Sequence, residues 1–152
     1  MRVEDAGWAA PEEHSESQRA AAWRVPSVFK CGVMIFTLKA ALQLRGFGRV
    51  IGWLWRRAVP IPAAAWLDAE AVKAAERAVA TAGALYPGRA RCLEQSLVLY
   101  YLLRRHGVAV KYCQGVMAQP FEAHAWIEYR GEVVNDIAEH ANQFARLPDQ
   151  LP

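Results

Sequence analysis

Three side chains in this sequence have types, order and spacing that suit nucleophilic chemistry. Cys92 stands where an apolar periodic segment begins, His124 opens an alternating run, and Asp136 follows twelve residues later. A thiolate is a strong nucleophile, and the first turn of a helix sets positive partial charge beside it. A neighbouring imidazole can take the thiol proton, and a carboxylate can hold that imidazole in one tautomer. Each residue alone has a plainer reading. A cysteine heading an apolar helix is commonly a small core residue, a histidine before Ala-Trp is commonly structural, and an aspartate after Asn135 suits a turn. The ordered trio is what supports catalysis. Cys31 and Cys113 lack a comparable setting and read as core. Cys92, Cys113, His106 and His124 show no metal-ligand spacing, and three cysteines without a CxxC pair support neither a zinc knuckle nor a disulfide framework. No metal and no other cofactor is expected, and a reducing, cytoplasmic setting fits best.

The elements that must position this trio follow from periodicity. Leu93, Leu97, Tyr100 and Leu103 recur every three or four residues, which predicts a helix from Cys92 to Arg105. Gly107 ends it, with Arg104, Arg105 and His106 near its negative end. Beyond Gly107 the period becomes two: Val108, Val110 and Tyr112 alternate with Ala109, Lys111 and Cys113, a strand that runs on to Met117. Ala118 to Glu122, with Pro120, reads as a loop. HAWIEY (124–129) is a strand, Arg130-Gly131 a turn and EVVND (132–136) a further strand, while the tail from Glu139 is polar and compatible with a helix. Helix, strand and hairpin in this order make an α+β fold in which a helix with an N-terminal Cys packs on a small antiparallel sheet. The hairpin register decides whether Asp136 can reach His124. A two-residue loop pairs Tyr129 with Glu132 and sends Asp136 to the other face. A three-residue loop pairs Glu128 with Glu132, Trp126 with Val134 and His124 with Asp136, and Gly131 supplies the left-handed residue it needs. The three-residue register is therefore expected. Pro120, Phe121 and Trp126 flank His124 as candidate substrate-binding walls, with packing as the competing role.

The chain has 152 residues, 54% hydrophobic and 22% charged, enough for one packed domain and not for a disordered protein. The formal net charge of +3 conceals an asymmetry. From Ser17 to Leu67 there is no Asp or Glu but eight Lys and Arg, so this stretch carries +8 and leaves −5 for the rest. Seven Trp and Phe are interleaved with those charges. Residues 1–22 read as a mobile acidic tail, with the wrong chemistry for a signal peptide. Residues 23–66 read as a basic, apolar helical extension, with a helix from Ser27 to Leu44, a short apolar-basic segment from Arg49 to Arg57, and a stop at Pro60 and Pro62. Residues 67–152 read as the catalytic core, opening with an Ala-rich helix that Asp68 caps and that runs to about Ala82. The uncharged stretch Cys31 to Leu38, which Lys39 interrupts, is too short for a membrane span. The apolar density of the basic stretch suits a partner groove or lipid headgroups better than nucleic acid.

The segment RCLEQSLVLYYLLRRHGVAVKYCQGVMAQPFEAHAWIEYRGEVVND resembles the lasso-peptide leader peptidases, a bacterial branch of the transglutaminase-like cysteine-protease superfamily. The helix-initial Cys, the Leu-Leu-Arg-Arg-x-Gly exit, the Pro-Phe-x-Ala-His-Ala-Trp segment and the Asn-Asp end carry the likeness, which spans about Asp68 to Asp136. The resemblance implies a Cys92–His124–Asp136 triad that removes the leader from a ribosomally made lasso-peptide precursor, before a separate lasso cyclase closes the macrolactam. It also implies that a separate protein supplies leader recognition, because the first 60 residues show no small winged-helix domain. Acyl transfer to an amine on the same fold and a non-catalytic partner-binding or membrane-binding module are the alternatives. Localisation at the inner face of the membrane through a peripheral contact is an added expectation.

Overall fold

The computed structural model describes residues 24–57, 69–88 and 92–149. The acidic tail, the Pro60–Pro62 stop and the Asp68 cap lie outside them. Among the described residues, four helices precede a four-stranded antiparallel sheet: α1 Val28–Arg45, α2 Phe47–Arg57, α3 Ala69–Leu85 and α4 Cys92–Arg105. The strands are β1 Val110–Met117, β2 Glu122–Tyr129, β3 Glu132–Val133 and β4 Ala145–Arg146, in spatial order β3-β2-β1-β4, with a short helix α5, Ala138–Ala141, between the last two.

Local chemistry sets most of these boundaries. Ser27 caps α1, its hydroxyl accepting from the Lys30 N–H at 3.3 Å. Gly46, at φ 76°, ends it, and the apolar-basic segment that follows is itself a helix, burying Val50, Ile51 and Leu54. In α3 the alanines let helices approach closely: Val72, Ala75, Ala78, Val79 and Ala82 are buried. The helix continues one turn past the expected end, to Leu85.

Helix α4 begins and ends where its sequence predicts. At its exit Gly107, φ 76°, donates to Arg104 C=O and Val108 to Leu103 C=O, both at 3.0 Å, a Schellman closure. Val108 is committed to that closure, which is why the strand starts at Val110 and not at Val108. The single apolar side expected of α4 is too narrow a description: Ser96 to Tyr100 and Leu102 to Arg104 are all buried, because α1 and α3 cover one flank and the sheet the other.

The sheet has two dissimilar faces. Val110, Tyr112, Ala125, Ile127 and Tyr129 join the helices in the main core. Cys113 and Trp126 face the other way and form a second cluster with Ala141 and Phe144, brought there by α5 and the chain into β4. The β2–β3 connection corrects the expected register. Tyr129 pairs with Glu132 and Glu128 with Val133, so the loop is the two residues Arg130 and Gly131, not three. Both are left-handed, at φ 54° and 82°, the geometry of a primed turn whose twist matches the strands. Arg130 takes a conformation that costs a non-glycine residue about 1–2 kcal/mol, and its guanidinium lies over the Tyr129 ring at 5.2 Å.

Candidate active site

With a two-residue turn, a regular ladder would place Asp136 opposite Ala125 and turn it away from His124. The chain avoids this by leaving the ladder. Val134 N–H still donates to Ile127 C=O at 2.9 Å, but Ile127 N–H donates to the side-chain Oδ1 of Asn135 at 2.7 Å, in place of a main-chain carbonyl. Asn135 Nδ2 donates to Ser96 Oγ at 2.8 Å, and Ser96 O–H donates to Ala125 C=O at 2.9 Å. Residues 134–136 bend, and Asp136 swings back onto the face that carries His124.

There Asp136 Oδ2 accepts from His124 Nε2 at 2.6 Å. Expected pair and observed pair agree, although the strand register assumed for them does not. The same oxygen accepts from His140 Nδ1 at 2.8 Å, and Asp136 Oδ1 accepts from Ile137 N–H at 2.8 Å. Burial alone would raise this carboxyl, but the bonds from His140, Ile137 N–H and His124 outweigh it and hold the group below the usual aspartate range. It is an anion throughout the neutral region. With Nε2–H committed to Asp136, Nδ1 is the ring atom of His124 left for proton transfer.

Rings fix the imidazole from several sides. Trp126, 2% exposed, lies near-parallel to His124 at 5.8 Å between centroids, and Phe144 approaches at 5.0 Å. Gly115 pairs with His124 across the sheet and makes room for this: a Cβ there would meet Phe144 Cβ at 2.6 Å and Trp126 Cη2 at 3.2 Å. Trp126 is itself held by its indole N–H, which donates to Glu128 at 3.1 Å, and Glu128 pairs with Arg146 from β4. Trp126 thus underlies His124. Pro120 and Phe121 lie on the β1–β2 turn, Pro120 after a cis peptide and Phe121 with 82% of its surface exposed.

Cys92 occupies the first position of α4, part-exposed, at the end where backbone N–H groups lack intrahelical partners. Cys31 and Cys113 are buried, and burial raises both thiols, Cys113 to about 11. The two cysteines read as core are therefore held as neutral thiols. Cys92 acts electrostatically on the Tyr112 phenol, which burial has already pushed well up, and Gln114 Nε2 donates to that phenol at 2.7 Å. Among the described residues no hydrogen bond joins Cys92 to His124. Their elements are tied through Ser96, one turn beyond Cys92, which bonds to the carbonyl adjacent to His124 in sequence.

Two further residues of the site were not anticipated. His140 sits four residues after Asp136, a helical spacing, and that was its one local signal. Asn135 was marked only by its turn-forming type and by its place in the Asn-Asp end of the resemblance. The donor atoms of His124, Asp136 and His140 lie within 4.8 Å of one another, a set that differs from the four residues weighed above and that a divalent cation could use.

A family model described as the transglutaminase-like superfamily matches residues 34–149. The match begins within α1, at Met34, and takes in α2, α3, α4 and every strand of the sheet. Searches of the curated proteins and of the solved structures found no match.

Proposed function

The chain belongs to the transglutaminase-like superfamily, which includes cysteine peptidases and acyl transferases, and from that premise we propose that it is a cysteine peptidase that removes the leader of a ribosomally made lasso-peptide precursor. The observation that carries the reading is the Asp136–His124 bond through Nε2, which leaves Nδ1 as the base, beside a helix headed by Cys92. The finer assignment, to a lasso-peptide precursor, is supported by the Pro-Phe-x-Ala-His-Ala-Trp and Asn-Asp segments described above.

In this mechanism His124 Nδ1 accepts the thiol proton as Cys92 Sγ attacks the carbonyl of the last leader residue. The oxyanion is met by the Cys92 N–H at the head of α4. Collapse of the tetrahedral intermediate breaks the C–N bond, and His124 returns the proton to the leaving amine. Water, deprotonated by the same Nδ1, then hydrolyses the thioester and frees Cys92. Asp136 stays ionised throughout and stabilises the imidazolium. In this reading Phe121, exposed on the β1–β2 turn, and Pro120 beside it serve as walls for the substrate, and Trp126 supports the base from beneath.

The partners in this reading are the precursor, a separate leader-recognition protein and a cyclase acting afterwards, in the cytoplasm. The test is to incubate the purified chain with a precursor and its recognition protein and to weigh the products. A free leader and core whose masses sum to the precursor plus one water support hydrolysis. A leader mass joined to an added amine would instead mark acyl transfer, and an unchanged precursor would sink the enzymatic reading.

A further inference from the structure

Helix α1 is apolar on two opposite faces. At 100° per residue, Cys31, Ile35, Leu38 and Leu42 fall on one side, and there they enter or pack against the main core. Phe29, Val33, Phe36 and Leu44 fall within about 80° of one another on the other side, where they are 82%, 47%, 61% and 84% exposed. The stripe they form is about 22 Å long. A helix that served only to cover the core would carry polar residues there. Lys30 and Lys39 lie on its two flanks, Lys39 also over the Tyr86 ring at 5.0 Å. Phe36 and Leu44 share a groove with Arg45, Arg49, Trp53 and Arg56 of α1 and α2. Residues 24–57 hold seven Lys and Arg and no carboxylate.

We infer that the outer face of α1 docks this protein on the interface of an anionic phospholipid bilayer. Protruding aromatic and leucine side chains need a soft apolar medium, and the cations beside them need negative charge; a bilayer rich in anionic lipid offers both in one plane. A second copy of this chain would set seven cations against seven. Among the described residues no helix is long and apolar enough to cross a membrane, so α1 lies along the surface, its inner face on the protein and its outer face at the acyl boundary. This inference is independent of the chemistry proposed for Cys92.

The test is co-sedimentation of the full chain with vesicles of phosphatidylcholine alone and of phosphatidylcholine mixed with phosphatidylglycerol. Binding is expected to the mixed vesicles at low salt, weakened as salt rises well above about 0.1 M, with little binding to phosphatidylcholine alone. Phe29→Ser with Phe36→Ser should abolish it and leave the thermal melt unchanged, because both rings face solvent. Lys30→Ala with Arg49→Ala should weaken it roughly 30-fold, each surface cation contributing about a factor of five. Equal binding to both vesicle types, no binding to either, or binding that survives the Phe29→Ser/Phe36→Ser pair overturns the inference. So does self-association that the serine pair abolishes, which would make the stripe a contact between copies. Loss of recognition-protein binding in that pair, with no vesicle binding by the wild type, would assign the stripe to a protein.

Discussion

Replacing Asn135 by Ala tests how the site is assembled. The side chain does two things: Oδ1 accepts from Ile127 N–H at 2.7 Å, and Nδ2 donates to Ser96 Oγ at 2.8 Å. Ile127 is fully buried, so its N–H would be left without an acceptor, at about 1–3 kcal/mol, and the lost bond to Ser96 adds about 1 kcal/mol. In a regular antiparallel ladder the orphaned N–H would donate to the Val134 carbonyl, the partner it gains if β3 continues. That repair recovers part of the stability but extends the register in which Asp136 opposes Ala125, carrying the carboxylate off His124. Asn135→Ala should therefore lose about 1–3 kcal/mol in urea unfolding, and remain folded. Its kcat for precursor cleavage should fall roughly 100-fold or more, since displacing a catalytic group by about 1 Å can cost that much. The loss should resemble that of Asp136→Ala, and combining the two should cost little more than either alone, because both empty the same position beside His124. Ser96→Ala should show part of the stability loss and a smaller effect on kcat. Measuring kcat by product mass and stability by circular dichroism separates the two effects. An Asn135→Ala enzyme with near wild-type kcat, but lowered stability, would refute the claim that this side chain places Asp136.

Cys92→Ala should abolish cleavage and leave the melt nearly unchanged, while Cys113→Ala should cleave normally and lose roughly 1 kcal/mol from its buried site; thiol alkylation followed by mass mapping should likewise label Cys92 before Cys113 and Cys31. The lowered Asp136 carboxyl also gives a sign for pH dependence. Its ionised form is favoured in the folded state, so its contribution is complete above the ordinary value of 3.8 and is lost as pH falls through the lowered folded value. Asp136→Asn should accordingly be less stable than wild type at neutral pH, with the gap narrowing below about pH 4 in acid titrations of the urea midpoint. Gly115→Ala would drive a methyl into Phe144 at 2.6 Å, costing about 1–3 kcal/mol by overpacking and loosening Phe144 from His124. Its kcat should drop more than its stability loss alone explains, and an unaltered kcat would leave Phe144 with no part in holding the imidazole.

The sequence by itself determined the pieces whose cause is local. Cys92 and Gly107 bound α4 because a nucleophile-bearing helix start and a left-handed glycine exit are written within a few residues, and period-two alternation marks the strands that follow. The α+β order, and three residues able to make a triad, were legible on that basis. Pairing across the sheet was not, because it depends on groups distant in the chain. Ser96, 39 residues before Asn135, supplies the acceptor that anchors the Asn135 side chain, and that bond lets the backbone leave the ladder after Val133. Turn type alone therefore could not foretell the outcome: the two-residue loop that seemed to forbid the His124–Asp136 contact is present, and the contact forms anyway. His140 and Phe144 reach His124 for the same kind of reason, through a short helix and a two-residue edge strand held by β1. The second apolar face of α1 was present in its spacing from the start, but only packing decided which face the core would take and which would stay in solvent. Burial against α3 and α4 selects one of two similar faces, and no local rule ranks them.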